Sequence, residues 1–384
     1  MTTSATAEKP ATAPQAGRQV PFFNYPALFA EHREEYLSTF EDVLQRGAYI
    51  MQRDLAEFEE ALARYLGVKH AIGVADGTVA LKIALTLAGV GPGDEVIVPS
   101  HTFIATAAAV HQVGATPVLC DCGPDSMIDV DSARHVLSSR TKAIMPVQLN
   151  GRTCDMDKVE AFAAEHGLKI VEDSCQAMGA KYRGRFAGTF GVAGSFSFFP
   201  AKTLGCFGDG GGLILEDDAL AEQARELRDH GRGKDGKVHR FGINGRLDNI
   251  QAAILSVKLK RYDESIDRRR ALARIYDARL STVAELLLPP GPDSDPLRFD
   301  IFQNYEIQSE RRDALREFLT ARGVGTIMQW GGHMIHQFED LNLKAHAPYA
   351  EEMSRRYMML PLHPMLSDDD AHYVCDQIET FYNG

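Results

Sequence analysis

The stretch Ser195-Phe-Ser-Phe-Phe-Pro-Ala-Lys202-Thr-Leu-Gly-Cys-Phe-Gly-Asp-Gly-Gly-Gly212 decides the reading of this chain. An apolar, strand-like run feeds a turn that carries one lysine, and a cluster of glycines follows. A lysine held against apolar surroundings has its ammonium pKa lowered, which makes its amine a candidate nucleophile for carbonyls.

Outward from this stretch, short apolar runs alternate with amphipathic segments. Strands are predicted at 70–75, 95–99, 116–120, 143–147, 169–172, 193–198 and 212–215. Helical patterns fill most of the gaps, at 78–87, 104–111, 131–137 and 156–166. Continuous apolar strands joined by crossover helices imply an α/β fold with a mostly parallel, seven-stranded sheet covered on both faces. Before it lie helical patterns at 28–46 and 54–66. After it, 219–230 and 246–280 read as helices. The proline-rich loop Pro289-Pro-Gly-Pro-Asp-Ser-Asp-Pro296 then leads into a smaller α+β unit, with a strand at 302–307 and helices at 313–322 and 371–382. This divides the chain into a tail (1–20), a large part that includes the N-terminal helices (21–260) and a small C-terminal part (261–384).

Composition narrows the function. The chain has 384 residues, 45% of them hydrophobic, enough for one large core and a smaller one. A net charge of −12 leaves no basic surplus to neutralise phosphates, so nucleic acid is not an expected partner. The run Arg268, Arg269 and Arg270 reads as a solvated helix face. No apolar stretch approaches the roughly 20 residues that span a bilayer. The first 19 residues lack an apolar signal region, and the six scattered cysteines form neither a disulfide framework nor a zinc pattern. Together these point to a cytoplasmic protein with reduced thiols and no metal.

In open α/β sheets ligands bind outside the carboxyl ends of the strands, and the chemistry-bearing residues of this sequence gather there. Asp76-Gly-Thr-Val-Ala80 leaves a strand and opens a helix, where backbone N–H groups can hold a phosphate; Gly77 permits close approach and the Thr78 hydroxyl can donate, though many such turns bind nothing. Phe103, in Pro99-Ser-His-Thr-Phe103-Ile-Ala-Thr106, is either a core residue or a stacker for a planar ring. Lys169-Ile-Val-Glu-Asp-Ser174 ends in adjacent acids, of which Asp173 is either a helix cap or, with Gln176, a partner for a ring's nitrogen and oxygen. Ser197 is a strand serine or a phosphate ligand. The glycines at 208–212 follow their lysine, so G-x-x-x-x-G-K-[ST] is not met and a nucleotide loop is set aside. A phosphate turn, a ring stacker, an acid for a pyridine nitrogen and a Schiff-base lysine suit one cofactor, pyridoxal phosphate.

At this point the sequence resembles the DegT/DnrJ/StrS family of sugar aminotransferases, fold type I of the pyridoxal-phosphate enzymes. The resemblance rests on Gly91-Pro-Gly-Asp-Glu-Val-Ile-Val-Pro99, Thr102-Phe-Ile-Ala-Thr106, Thr141-Lys-Ala-Ile-Met-Pro-Val147, Glu172-Asp-Ser-Cys-Gln-Ala177, Ser195 to Lys202, Gly208-Asp-Gly-Gly211, Arg228-Asp-His-Gly231 and Asn244-Gly-Arg-Leu-Asp-Asn-Ile-Gln-Ala-Ala253. It implies Lys202 as the Schiff-base lysine and Asp173 on the pyridine nitrogen. Gln176 would meet the ring oxygen, Phe103 the ring face, and Gly77, Thr78 and Ser197 the phosphate. Asn244 would reach the phosphate of a neighbouring subunit, which implies a homodimer with shared sites, and Arg246 would lie near the amino donor's carboxylate. The family's His-Tyr-Pro-x-Pro-x-His stretch is replaced by Gln329-Trp-Gly-Gly-His-Met-Ile-His336, and Gln52 stands where a glycine is common. Both regions border the sugar-nucleotide site in that family, so His333 and His336 are candidate substrate ligands or plain loop residues.

The expected activity is amino transfer from glutamate to a nucleotide-linked (dTDP) 3- or 4-keto-6-deoxyhexose, through pyridoxal and pyridoxamine phosphate. The alternatives are a keto-cyclitol or aminoshikimate-type carbocycle as acceptor, or a non-catalytic binding or regulatory protein that keeps the fold. A related dehydratase is disfavoured because it replaces the lysine by histidine.

Overall fold

The computed structural model describes residues 17–384. Its centre is a seven-stranded sheet in the order His70–Val74, Gly211–Leu215, Ala193–Ser197, Lys169–Asp173, Thr141–Ile144, Glu95–Pro99, Thr116–Cys120. Gly211–Leu215 runs antiparallel to both of its neighbours, and the other adjacent pairs are parallel.

Successive side chains of a strand point to opposite faces, and here both faces are dry. Ile72, Val74, Val96, Val98, Val171 and Leu213 meet the helix Gly77–Leu87 through Ala80, Leu81, Ala84 and Leu85. The alternate residues Ala71 and Ile214 join Phe58, Leu62, Phe196 and Phe198 on the other side. Ile97, Ile144 and Ile170 pack there against the helix Met156–His166 through Val159 and Phe162.

A second core belongs to the antiparallel sheet Leu286–Leu287, Tyr305–Ser309, Tyr357–Leu360 and the helices Arg312–Thr320 and Asp368–Asn383. The strand expected at 302–307 starts later, because Phe302 sits at a φ of 53° and turns the chain first. The helix Tyr262–Leu280 serves both cores. Tyr262 and Ile266 pack with Phe58 and Phe198, whereas Leu272, Ala273, Tyr276 and Leu280 pack with Tyr305 and Val374. The division drawn at 260/261 therefore falls at the start of a shared helix.

Three local expectations are corrected. The pattern at 28–46 is two helices, Tyr25–Glu31 and Arg33–Arg46, with His32 between them at φ −128°. The pattern at 246–280 splits into Asn249–Leu259 and Tyr262–Leu280. In both cases each half keeps its apolar side, so periodicity alone does not mark the break. The tail is the third. Residues 1–16 lie outside the described residues, but Val20 is 1% exposed, bridges Val324 and packs in the small core, while Arg18 pairs with Asp370 at 2.6 Å.

Among the described residues the cysteines are all free, no acid, histidine and cysteine group could hold a metal ion, and no helix is long and apolar enough to cross a membrane.

The strand Gly211–Leu215 is pressed against the turn that opens the helix Gly77–Leu87. A Cβ at Gly211 would meet the carbonyl carbon and oxygen of Asp76 at 2.4 Å. Backbone cannot swing aside as a side chain can, so Gly211→Ala should lower stability by roughly 1–3 kcal/mol, the usual cost of overpacking. An unchanged urea midpoint would show that the turn is free to move.

Candidate active site

The carboxyl edge of the sheet gathers the predicted residues. Asp173 ends the strand Lys169–Asp173, and Ser197 ends Ala193–Ser197. Gly77 opens one helix, and Phe103 is the N-cap of another, Ile104–Gln112.

Asp173 is 5% exposed and is held at both oxygens. Oδ2 accepts a hydrogen bond from Thr106 Oγ1 at 2.7 Å, and Oδ1 accepts one from the Cys175 N–H at 3.2 Å. Thr106 in turn shares a hydrogen bond with Thr102 Oγ1 at 2.7 Å. Lys202 follows on a tight turn, its N–H bonded to the Phe199 carbonyl at 2.8 Å. Gly205 is required there, since a Cβ would meet the Pro200 carbonyl oxygen at 2.6 Å. Part of Lys202 remains accessible, yet the amine end is desolvated by its surroundings. That burial pushes its pKa below the ordinary lysine value, and the nearby Cys175 and Asp173 act in the opposite direction without restoring it. Lys202 is in no ion pair among the described residues.

Gly77 packs between two site residues: an added Cβ would lie 2.8 Å from Cys175 Sγ and 3.0 Å from Ser197 Cβ. The first N–H groups of a helix have no partner within it. Asp76 accepts only that of Val79, at 2.8 Å, which leaves those of Gly77 and Thr78 for an anion. Phe103 is 50% exposed, and its ring lies 6.2 Å from Trp330, tilted by 33°. Gln176 Oε1 accepts the Asn150 N–H at 2.9 Å, and its Nε2 donates to Gln329 Oε1 at 3.2 Å.

Asn244 is exposed and bridges Asp229, and Arg246 donates to Asp229 Oδ1 at 2.7 Å. Their segment lies beside the same edge, where the Gly245 carbonyl accepts the Ala75 N–H at 2.8 Å. A cavity of about 340 Å³ shares only Lys202 with the predicted site residues. It is lined instead by Tyr25, Tyr36, Lys258 and His363. The site is better defined by the strand ends, where the carboxylate, the helix N-terminus and the open aromatic face converge.

The profile of the DegT/DnrJ/EryC1/StrS aminotransferase family matches residues 30–379. The chain is 40% identical over 365 residues to the dTDP-3-amino-3,4,6-trideoxy-alpha-D-glucose transaminase of Streptomyces venezuelae, covering 94% of this chain and 95% of that one. It is 38% identical to the pleiotropic regulatory protein of Geobacillus stearothermophilus, over 94% and 98% of the two chains. Among solved structures, S. venezuelae DesV in complex with a ketimine intermediate superimposes with a TM-score of 0.91 at 38% identity, covering 95% of this chain and 99% of that chain. The chain belongs to the DegT/DnrJ/EryC1/StrS aminotransferase family.

It is therefore an aminotransferase of the pyridoxal-phosphate-dependent kind, with fold type I. The residues present fit that cofactor. A buried carboxylate fixed by two donors suits a pyridinium nitrogen, an open phenylalanine face suits a planar ring, and a helix N-terminus beside Gly77 and Ser197 suits a phosphate. A desolvated lysine with no carboxylate bound to it suits an aldehyde carbon.

Within the stretch that departs from the family's histidine pattern, Gln329 and Trp330 meet site residues. His333 is exposed and stacks on Phe338, with ring centroids 5.6 Å apart. His336 is turned inward, with Nε2 3.6 Å from Glu351 Oε1, and burial pushes its pKa down. Sequence reading gave no role to Thr106, Asn150, Gln329 or Trp330. Asn150 carried a usable signal, an Asn-Gly pair after an apolar run, which marks a turn; its φ is 54°.

Asp173→Asn keeps the size of the side chain and removes its charge. Loss of a partnered charge where charge develops costs on the order of 3 kcal/mol, so transamination should fall about a hundredfold. A near-normal rate would reduce Asp173 to a cap.

Proposed function

We propose that this aminotransferase takes its amino group from glutamate and passes it to a nucleotide-linked keto-deoxyhexose, dTDP-bound, with the keto group at C3 or C4. The chemistry rests on one observation, the desolvated Lys202 amine beside the fixed carboxylate of Asp173. The choice of sugar nucleotide is supported by the transaminase relative, whose name carries a dTDP-sugar.

When bound, pyridoxal phosphate supplies a carbonyl to capture amines and a ring that accepts electrons. Lys202 offers Nζ as the amine that holds the cofactor and, once displaced, as the base and acid that moves a proton. Its lowered pKa keeps a fraction of that amine neutral closer to physiological pH than an ordinary lysine. Asp173 holds a proton on the ring nitrogen, with Thr106 and the Cys175 N–H keeping its oxygens in place. The N–H groups of Gly77 and Thr78, with the Ser197 hydroxyl, hold the phosphate, and Phe103 backs the ring. Gln176 donates to the ring oxygen. Arg246 lies at the rim for the donor's carboxylate, and His333 is the more accessible of the two histidines for the sugar nucleotide. A purely regulatory role, as the name of the Geobacillus relative suggests, gives no reason for a desolvated amine beside a buried carboxylate.

Borohydride added to protein reconstituted with pyridoxal phosphate should fix the cofactor to Lys202, seen as a single modified peptide. Lys202→Ala should stay folded, bind the cofactor without a covalent link and lose turnover. A colourless wild type with no modified lysine would overturn the reading. The acceptor is then identified by mass spectrometry, across nucleotide keto-sugars and keto-cyclitols, as the replacement of oxygen by NH₂.

The protein is further proposed to be a homodimer in which Asn244 completes the partner's phosphate site. Mixing Lys202→Ala with Asn244→Ala under subunit exchange places both defects in one site of a mixed pair and leaves the other intact. Up to roughly a quarter of wild-type activity should return, from the statistics of two-fold pairing. No recovery, or a fully active Asn244→Ala, would refute the shared site.

A further inference from the structure

Gln176 is the end of a chain of amides that crosses from the large core to the small one. Its Oε1 accepts the Asn150 N–H at 2.9 Å. A backbone N–H can only donate, so the Gln176 atom facing it must be oxygen, and Nε2 must face the other way. That nitrogen meets Gln329 at 3.2 Å, so the Gln329 atom there must be its oxygen. The Gln329 Nε2 is then left to donate to Asn150 Oδ1 at 2.7 Å and to Glu306 Oε2 at 3.3 Å. Asn304 Nδ2 adds a second donor to Asn150 Oδ1 at 2.9 Å.

Both ends of this relay are groups that cannot be reversed: the Asn150 N–H and the Glu306 carboxylate, which only accepts. Glu306 is 6% exposed. Its other oxygen accepts from Ser126 Oγ at 2.9 Å, and the buried ring of His101 lies 3.7 Å from Oε2. The Gln329 carbonyl is pinned by the Tyr357 hydroxyl at 2.6 Å. Of the two Nε2 hydrogens of Gln176, one is taken by Gln329, and the other has no partner among the described residues.

We infer that Gln329 and Glu306, together with the Asn150 N–H, are positioning groups that fix the direction of the Gln176 amide, so that its remaining N–H is presented to the ring oxygen of the bound cofactor. The inference rests on the pyridoxal-phosphate reading above. The departure at Gln329 from the family's histidine is then a part of the cofactor site and not only of the substrate's. An amide both accepts and donates in a line, and this geometry uses both functions.

The test reads the visible absorption band of the reconstituted holoenzyme as a function of pH. A donor on the ring oxygen stabilises its negative charge, which weakens the oxygen's hold on the proton it shares with the Lys202 nitrogen. Losing the donor strengthens that hold, so the pH midpoint of the band should rise. Gln176→Met should raise it by about one pH unit, the size of one hydrogen bond. Gln329→Met and the isosteric Glu306→Gln should raise it in the same direction, and Gln176→Met/Gln329→Met should add nothing to Gln176→Met alone, as coupled residues do. Melting temperatures report folding, and Glu306→Gln serves if Gln329→Met does not fold. Wild-type midpoints in Gln329→Met and Glu306→Gln, beside a shifted Gln176→Met, would overturn the inference and leave the cofactor reading standing. A wild type without a visible band would defeat the cofactor reading first, and the inference with it.

Discussion

The site depends on the carboxylate of Glu172, which is fully buried one residue before Asp173. Oε2 accepts from Gln148 Nε2 and from the Gly188 N–H, both at 2.8 Å. Oε1 accepts from the N–H groups of Phe190 at 2.6 Å and Gly191 at 3.2 Å. Burial raises its pKa, and the four donors pull the other way. Neighbouring residues of a strand point to opposite sides, so one acid faces inward and the other faces the site. The inward acid ties down the turn that leads into Ala193–Ser197, and that strand delivers Ser197 and then Lys202. A hydrogen-bonded carboxylate that cannot be left unpaired is a stronger constraint on a loop than apolar packing, because removing its donors exposes the full cost of desolvation.

The lysine turn is also fastened from the small core. Gln303 accepts the Thr203 N–H at 2.7 Å and donates to the Ala201 carbonyl at 2.8 Å, so one side chain grips both sides of Lys202. The Thr203 hydroxyl lies 2.6 Å from the Tyr262 hydroxyl, and Tyr262 donates to the Met178 carbonyl at 2.6 Å. Gln303 and Gln329 thus reach the site from the same C-terminal part at two points, the lysine turn and the ring-oxygen side. Sequence spacing cannot show either contact, since each joins segments more than 95 residues apart.

What was legible in the sequence was what each segment dictates for itself. The apolar runs gave the seven strands to within a few residues, because a strand buried on both faces leaves no other use for such a run. The strand ends gave Asp173, Ser197 and the Gly77 turn, because a parallel sheet puts carboxyl ends on one edge. Helix breaks at His32 and near Arg261 left no mark on the apolar period. Thr106, Asn150, Gln329 and Trp330 are polar or aromatic residues whose value is set by a partner distant in the chain. The ordinary-looking Thr106 donates to the carboxylate of Asp173, the cofactor's expected partner, and only the fold reveals it.

The same arrangement sets a cost that the cofactor can relieve. Lys202 has a lowered pKa in the folded chain and an ordinary one when unfolded, so folding favours release of its proton at pH values between the two. The penalty is complete below the folded pKa and fades as pH rises towards the ordinary lysine value. A lysine that forms a covalent link to an aldehyde no longer carries that penalty in the same form. The surroundings that make the amine a nucleophile are thus the surroundings that make the empty site less stable. Glu172 and Gln303, which hold the turn from opposite sides, keep the lysine in a place that its own charge disfavours.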